Sequence, residues 1–147
     1  MKASLAGRQK GAVAIEFAIV FLMFFAVFYG LLSYSLPMLM VQSFNQASSE
    51  AVRRCVALDP ASATYATDVN ALAKQTLEQQ LAWLPGSLGF QFATDATVTL
   101  SGSRLLTVSV HYSKAKLAST LPILVLPGIG EVPRLPATLT SQASLQL

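Results

Sequence analysis

Charge is scarce in this chain. Asp, Glu, Lys and Arg make up 12% of its 147 residues, against about 25% in an ordinary soluble domain. Between Phe17 and Ser49 there is no ionisable Asp, Glu, Lys, Arg or His at all. Cysteine and histidine occur once each. The single cysteine, Cys55, excludes an internal disulfide, and no CxxC or Cys/His spacing offers a zinc site. It shares a helical period with Val41, Phe44, Ser48, Ala51 and Val52, which predicts a small buried residue, with an intersubunit bridge as the alternative. His111 falls on the polar side of an alternating pattern and is expected in solvent. There is no Gly-rich phosphate loop, GxSxG elbow or HExxH helix, and the seven acids are scattered singly. No enzyme, metal or cofactor is therefore expected.

Hydrophobic residues, by contrast, make up 53% of the chain, and Ala18 to Leu32 is almost entirely Ala, Ile, Val, Phe, Leu and Met. A helix of about 20 apolar residues crosses a hydrocarbon core about 30 Å thick. No other stretch of the chain is long enough. The pI of 9.2 reflects Lys2, Arg8 and Lys10, which precede the run with no acid among them; the rest holds seven Lys and Arg against seven Asp and Glu. Basic residues at a membrane-crossing end are retained on the cytoplasmic side, so the excess is an orientation signal. No basic patch interleaves with aromatics, and nucleic acid is not an expected partner. The apolar stretch exceeds a secretory signal core, and "SYSLPMLMVQSF" after it has no small-x-small cleavage site. The segment is expected to remain in the mature protein.

Beyond it the helical pattern continues. Pro37 is a candidate kink, lacking an N–H and crowding the preceding turn. "MVQSFNQASSEAVRRCVAL" then carries an apolar stripe on one face, with Gln42, Asn45, Gln46, Glu50, Arg53 and Arg54 largely on the others. Asp59-Pro60 reads as an N-cap followed by proline at the first helical position. It opens a second helix over 60–83, with a stripe of Val69, Leu72, Ala73, Thr76, Leu77, Leu81 and Leu84. Trp83, at its end, is expected as a core or interface aromatic. From Leu88 the period becomes two. "TVTLSGSRLLTVSVHY" predicts two strands about Ser101-Gly102-Ser103, with Val108, Val110 and Tyr112 on one face and Thr107, Ser109 and His111 on the other. "ATLTSQASLQL" alternates in the same way, so a sheet with one buried and one wet face is expected. Between them "LPILVLPGIGEVPRLP" reads as an apolar loop, either a contact surface or a cover over the domain's own core.

One residue interrupts the membrane reading. Glu16 lies near the start of the apolar run, where an unpaired acid costs several kcal/mol and is by default a functional hypothesis. Two readings are open on the physics alone: a headgroup contact at the cytoplasmic end, or a partner for another group in the membrane.

The surrounding residues add a resemblance. Gly11 follows the basic leader "MKASLAGRQKG", and Glu16 comes five residues later. This resembles the processing signal of type IV pilins, in which a prepilin peptidase cuts after the glycine and leaves glutamate at the fifth mature position. "KGAVAIEFAIVF" is similar in particular to the TadE-like (TadE/TadG family) pilins of the tight adherence, or Flp pilus, system, where an aromatic commonly follows that glutamate; here it is Phe17. Ala12 stands where the wider type IV pilins commonly carry an N-methylated phenylalanine. The longer TadG-like proteins often add a domain with a DxSxS metal signature, which this sequence lacks, and major Flp pilins are much shorter.

The resemblance implies a minor pilin or pseudopilin, cut between Gly11 and Ala12, with Glu16 and Phe17 serving assembly through helix pairing. Implied partners are the prepilin peptidase, other pilin and pseudopilin subunits, the inner-membrane secretion machinery and membrane lipid. The expected organisation is α+β: a leader at 1–11, a transmembrane helix at 12–36 and an exported pilin-like domain at 37–147. That domain would hold helices over about 38–57 and 60–83 and a small antiparallel sheet within about 89–147. The expected location is a bacterial inner membrane, spanned once, with the amino end cytoplasmic and the domain periplasmic or assembled into a pilus. An unprocessed single-pass envelope assembly factor and a membrane-tethered binding module are the rival readings. Processing of the leader separates the first from both.

Overall fold

The computed structural model describes residues 6–126, 128 and 130–147, with side chains from residue 11 onward. Lys2 lies outside the described residues, as do the side chains of Arg8 and Lys10. A single helix, α1 (Ala6–Cys55), runs for 50 residues, which at about 1.5 Å per residue is about 75 Å. Its two glycines beyond residue 10, Gly11 and Gly30, each have open space around them. Pro37 lies inside this helix and is buried. The helix runs unbroken through Pro37.

The first half of α1 and the second half live in different surroundings. Residues 11–28 are exposed along their whole length, whereas Ser33, Pro37, Met40, Phe44, Ala47, Ser48, Ala51, Val52 and Cys55 are buried. These positions recur every three or four residues and form one face. Against that face lies α2 (Tyr65–Leu81), through Val69, Ala73, Thr76, Leu77 and Leu81. A three-stranded antiparallel sheet also packs on it: β1 (Ala96–Leu100), β2 (Leu105–Ser113) and β5 (Thr138–Gln146), in the order β1-β2-β5. Leu106, Val108, Val110 and Tyr112 of β2 turn inward beside Leu139 and Ser141 of β5, while His111 and Thr140 pair across the wet face. Sequence alternation therefore selects the faces.

The centre of the core is aromatic. The ring of Phe44 lies 5.6 Å from Phe90 and 6.2 Å from Tyr112. The Tyr112 hydroxyl donates to the Leu88 carbonyl at 2.6 Å, so this buried polar tip is satisfied. Burial, with the Asp95 charge second, pushes its pKa up. Ser48 and Ser141 share a buried hydrogen bond of 3.1 Å that ties α1 to β5. Cys55 is fully buried and free, as its period predicts.

Several local details differ from the sequence pattern. The second helix begins at Tyr65 instead of residue 60. Asp59 Oδ1 accepts from the Ala61 N–H, and Ser62 Oγ accepts from the Thr64 N–H; such side-chain bonds hold the backbone in turns instead of a helix. Of the two readings of Trp83, core or interface, the core one does not hold, because it is 43% exposed. Residues 89–95, within the range read as strands, include a short helix, α3 (Phe92–Asp95). There Asp95 accepts from the Gln91 N–H at 2.9 Å and pairs with Lys116 at 2.6 Å. A second helix in that range is α4 (Lys114–Thr120), opened by Ser113, whose hydroxyl accepts from the Ala115 N–H. The segment read as a loop contains a two-stranded hairpin, β3 (Leu124–Leu126) with β4 (Gly130–Val132). Gly128 and Gly130, at φ 80° and 91°, take the left-handed conformations its turn requires.

Candidate functional site

The residues singled out by sequence lie together at the free end of α1. Gly11, Ala12, Glu16 and Phe17 are all helical and exposed. An α-helix places residues four apart on one face, so Ala12 and Glu16 stack one turn apart and Phe17 points to the adjacent face. Among the described residues Glu16 has no hydrogen-bond or ion-pair partner. Its nearest turns offer only aliphatic side chains, Ala12, Ile15, Ile19 and Val20. A carboxylate in that setting is chemically poised to meet a cation supplied from outside its own helix body.

Phe17 begins a feature that the sequence reading passed over. Phe17–Phe21, Phe21–Phe25 and Phe25–Tyr29 are stacked pairs with ring centroids 6.1, 6.4 and 6.3 Å apart, and Phe24–Phe28 is a parallel pair at 6.0 Å. The spacing of four along Phe17, Phe21, Phe25 and Tyr29 was the available signal. It produces an aromatic ladder running from beside Glu16 to the level of the hairpin. There the Tyr29 hydroxyl donates to the Pro122 carbonyl, and the Arg134 N–H donates to the Tyr34 hydroxyl at 2.9 Å.

This half of the helix suits an apolar solvent. Its most apolar 18-residue window has a mean hydropathy of 2.5 and buries none of its residues against the domain. Among the described residues α1 is the one helix long and apolar enough to cross a membrane, which marks the protein as membrane-anchored. At the other end, Arg53 and Arg54 bridge to Glu50 at 2.7 and 2.9 Å. The Arg54 hydrogen bond, more than the neighbouring Arg53 charge, holds the Glu50 carboxyl below its ordinary range. These cations also complement the partial negative charge of the helix's carboxyl end.

No curated protein and no solved structure matches the chain. A protein-family model does, over residues 11–53, which is the stretch from the candidate cleavage glycine through the exposed span to the last turns packed on the domain. That model is the one for TadE-like proteins, so over residues 11–53 the chain is similar to a TadE-like protein.

Proposed function

We propose that the protein is a minor pilin or pseudopilin, a non-catalytic subunit that takes part in building a tight adherence pilus for surface attachment. The observation that carries this reading is the coincidence of the TadE-like segment, residues 11–53, with an exposed apolar helix bearing an acid, Glu16, that has no partner among the described residues. On this reading a prepilin peptidase removes residues 1–11, and the basic leader with Lys2, Arg8 and Lys10 keeps the cut site in the cytoplasm. Residues beyond the span are exported from a bacterial inner membrane, where other pilin-like subunits and the secretion machinery receive them.

Cleavage would create an α-amino group on Ala12 with a reference pKa of about 7.7–8.0. Glu16 of a neighbouring subunit neutralises that cation as helices pack. Its carboxylate also then lies near the new helix N-terminus, where negative charge is favoured. Such a pair sets register more than it adds stability, since desolvation offsets much of the Coulomb gain. Phe17 and the aromatic ladder supply apolar packing area alongside it.

Glu16→Ala tests the assignment. Membrane insertion should persist or improve, because an acid leaves an apolar segment, and cleavage after Gly11 should continue. Assembly should fail, since removing one half of a buried pair costs about 3–5 kcal/mol. Glu16→Gln, which keeps size and hydrogen bonding, should be partly defective. The readout is recovery of the protein, or of the pilus it supports, in sheared surface fractions beside leader processing in membranes. Normal surface recovery of Glu16→Ala would withdraw the assembly role.

A further inference from the structure

The chain leaves the core at Leu121 and rejoins it at Leu135, and between them residues 122–126 and 130–134 lie along α1 toward its exposed end. Leu135, Pro136 and Leu139 lie against Pro37, Met38 and Val41. Below them the Arg134 N–H reaches Tyr34, and Pro122 receives the Tyr29 hydroxyl. Lower still, Leu124, Leu126 and Val132 face Leu22, Phe25 and Tyr29 across an apolar groove of about 640 Å³. From Tyr29 to Leu22 is seven residues, or about 10 Å at 1.5 Å per residue.

Depth in a membrane follows from the sequence of α1. About 20 residues span the hydrocarbon, and Gly11 to Gly30 is such a stretch, preceded by Lys10 and closed at its other end by Tyr29, with Tyr34 just beyond. Tyrosines at that position form the interfacial belt. The hairpin's inner face therefore reaches about 5–10 Å below the belt, the depth at which interfacial elements bury their apolar side. No residue from Leu117 to Gly130 is charged. Val125, on the face turned away from α1, is 72% exposed. Glu131, opposite Val125 in the hairpin register and so on the same outward face, is paired with Lys114, which places that face at the boundary between headgroups and acyl chains while Leu124, Leu126 and Val132 turn to the groove. With three residues in each strand, few edge N–H and C=O groups need partners, and headgroups and their water can satisfy them where the bilayer's centre could not.

We propose that the β3–β4 hairpin is a second membrane contact, seated in the leaflet on the domain's side, with a phospholipid acyl chain filling the groove between it and α1. Together with α1 it fixes the tilt of the domain on the membrane surface. The inference rests on α1 crossing the membrane, not on pilus assembly, and its test is separate from the Glu16 experiment.

The test uses the full chain in phosphatidylcholine vesicles. Trp83 is the only tryptophan, so a Trp83→Phe, Val125→Trp double variant reports on the hairpin alone, at a position exposed enough to accept the larger side chain. With phosphatidylcholine brominated on its acyl chains, that variant should lose most of its emission and resist aqueous iodide, while Trp83 of the parent should keep its emission. An unquenched hairpin tryptophan would overturn the proposal. Accessible to iodide, it would place the hairpin in water; protected from both quenchers, it would place a second copy of the chain over it. Flotation of the protein with the vesicles is scored alongside, and a protein that fails to float would overturn the membrane reading itself.

Discussion

The two halves of α1 share one backbone and differ in everything that surrounds it. From Gly11 to Phe28 each side chain is exposed, and large apolar residues occupy all faces. From Ser33 to Cys55 the buried residues lie on one stripe, and Gln42, Asn45, Gln46, Arg53 and Arg54 lie outside it, with Met38 and Leu39 the large apolar side chains still exposed near its start. A helix apolar all round needs an apolar solvent, whereas a one-sided helix needs a domain. The boundary at residues 29–34 holds two tyrosines whose hydroxyls both bond to the segment 122–134. The helix thus changes solvent where its sequence changes pattern, and the change is marked by side chains with one apolar and one polar end.

The largest expected contrast comes from truncating one aromatic in each half. Phe44→Ala empties the centre of the core and should cost about 3–5 kcal/mol of domain stability. Phe24→Ala, whose ring is 65% exposed, should stay within about 0.5 kcal/mol. Urea unfolding of the full chain in detergent, followed by tyrosine near-ultraviolet dichroism, compares them; equal losses would dissolve the distinction between the halves.

A smaller effect is expected where α1 meets β5. Ser48→Ala leaves the buried Ser141 hydroxyl without its partner and should cost about 1–3 kcal/mol. Ser48→Ala with Ser141→Ala should cost less than the sum of the single changes. An additive double variant would mean that the two hydroxyls do not hold the elements together.

Cys55 gives a pH-dependent probe of the packed half. Burial pushes its thiol pKa up. Below the unfolded value, about 8.5, this contribution to stability is fully present. As pH rises toward the raised folded value it is lost, because only the unfolded chain ionises. Unfolding midpoints should fall over that alkaline window in the parent, and by less in Cys55→Ala relative to its own neutral value. Alkylation at pH 8 should be slow until urea is added. Rapid alkylation of the native protein would contradict the packing.

The smallest effect belongs to the solvated turn. Glu50→Gln removes the partner of Arg53 and Arg54 but should leave the unfolding midpoint unchanged within error, since exposed pairs of this kind contribute little. A clear loss would show that the helix end is held by charge as well as by packing.

Much of this division was legible in the sequence because it rests on periodicity. The run from Ala18 to Leu32 and the stripe through Phe44, Ser48, Ala51 and Cys55 follow directly from which solvent each face meets. Alternation likewise placed Val108, Val110 and Tyr112 inside. What the pattern did not carry was decided by side chains acting on the backbone a few residues away. Ser62 and Asp59 delay the second helix, Ser113 opens α4, and the carboxylate of Asp95 closes the short turn from Gln91. The hairpin at 124–132 was hidden because prolines and glycines around it read as a loop, while its strands are too short for alternation to register. In the candidate site, Gly11 and Glu16 were legible through their spacing. The ladder from Phe17 to Tyr29 was obscured by the general abundance of phenylalanine, because in a helix apolar on every face an interval of four does not stand out from its surroundings.

The central claim concerns what happens to the free end of α1 in cells. The most direct measurement is the intact mass and amino-terminal residue of the membrane-extracted protein from cells that contain a prepilin peptidase. The account predicts a mature chain beginning at Ala12. A chain still beginning at Met1, with an active peptidase beside it, would contradict the pilin reading.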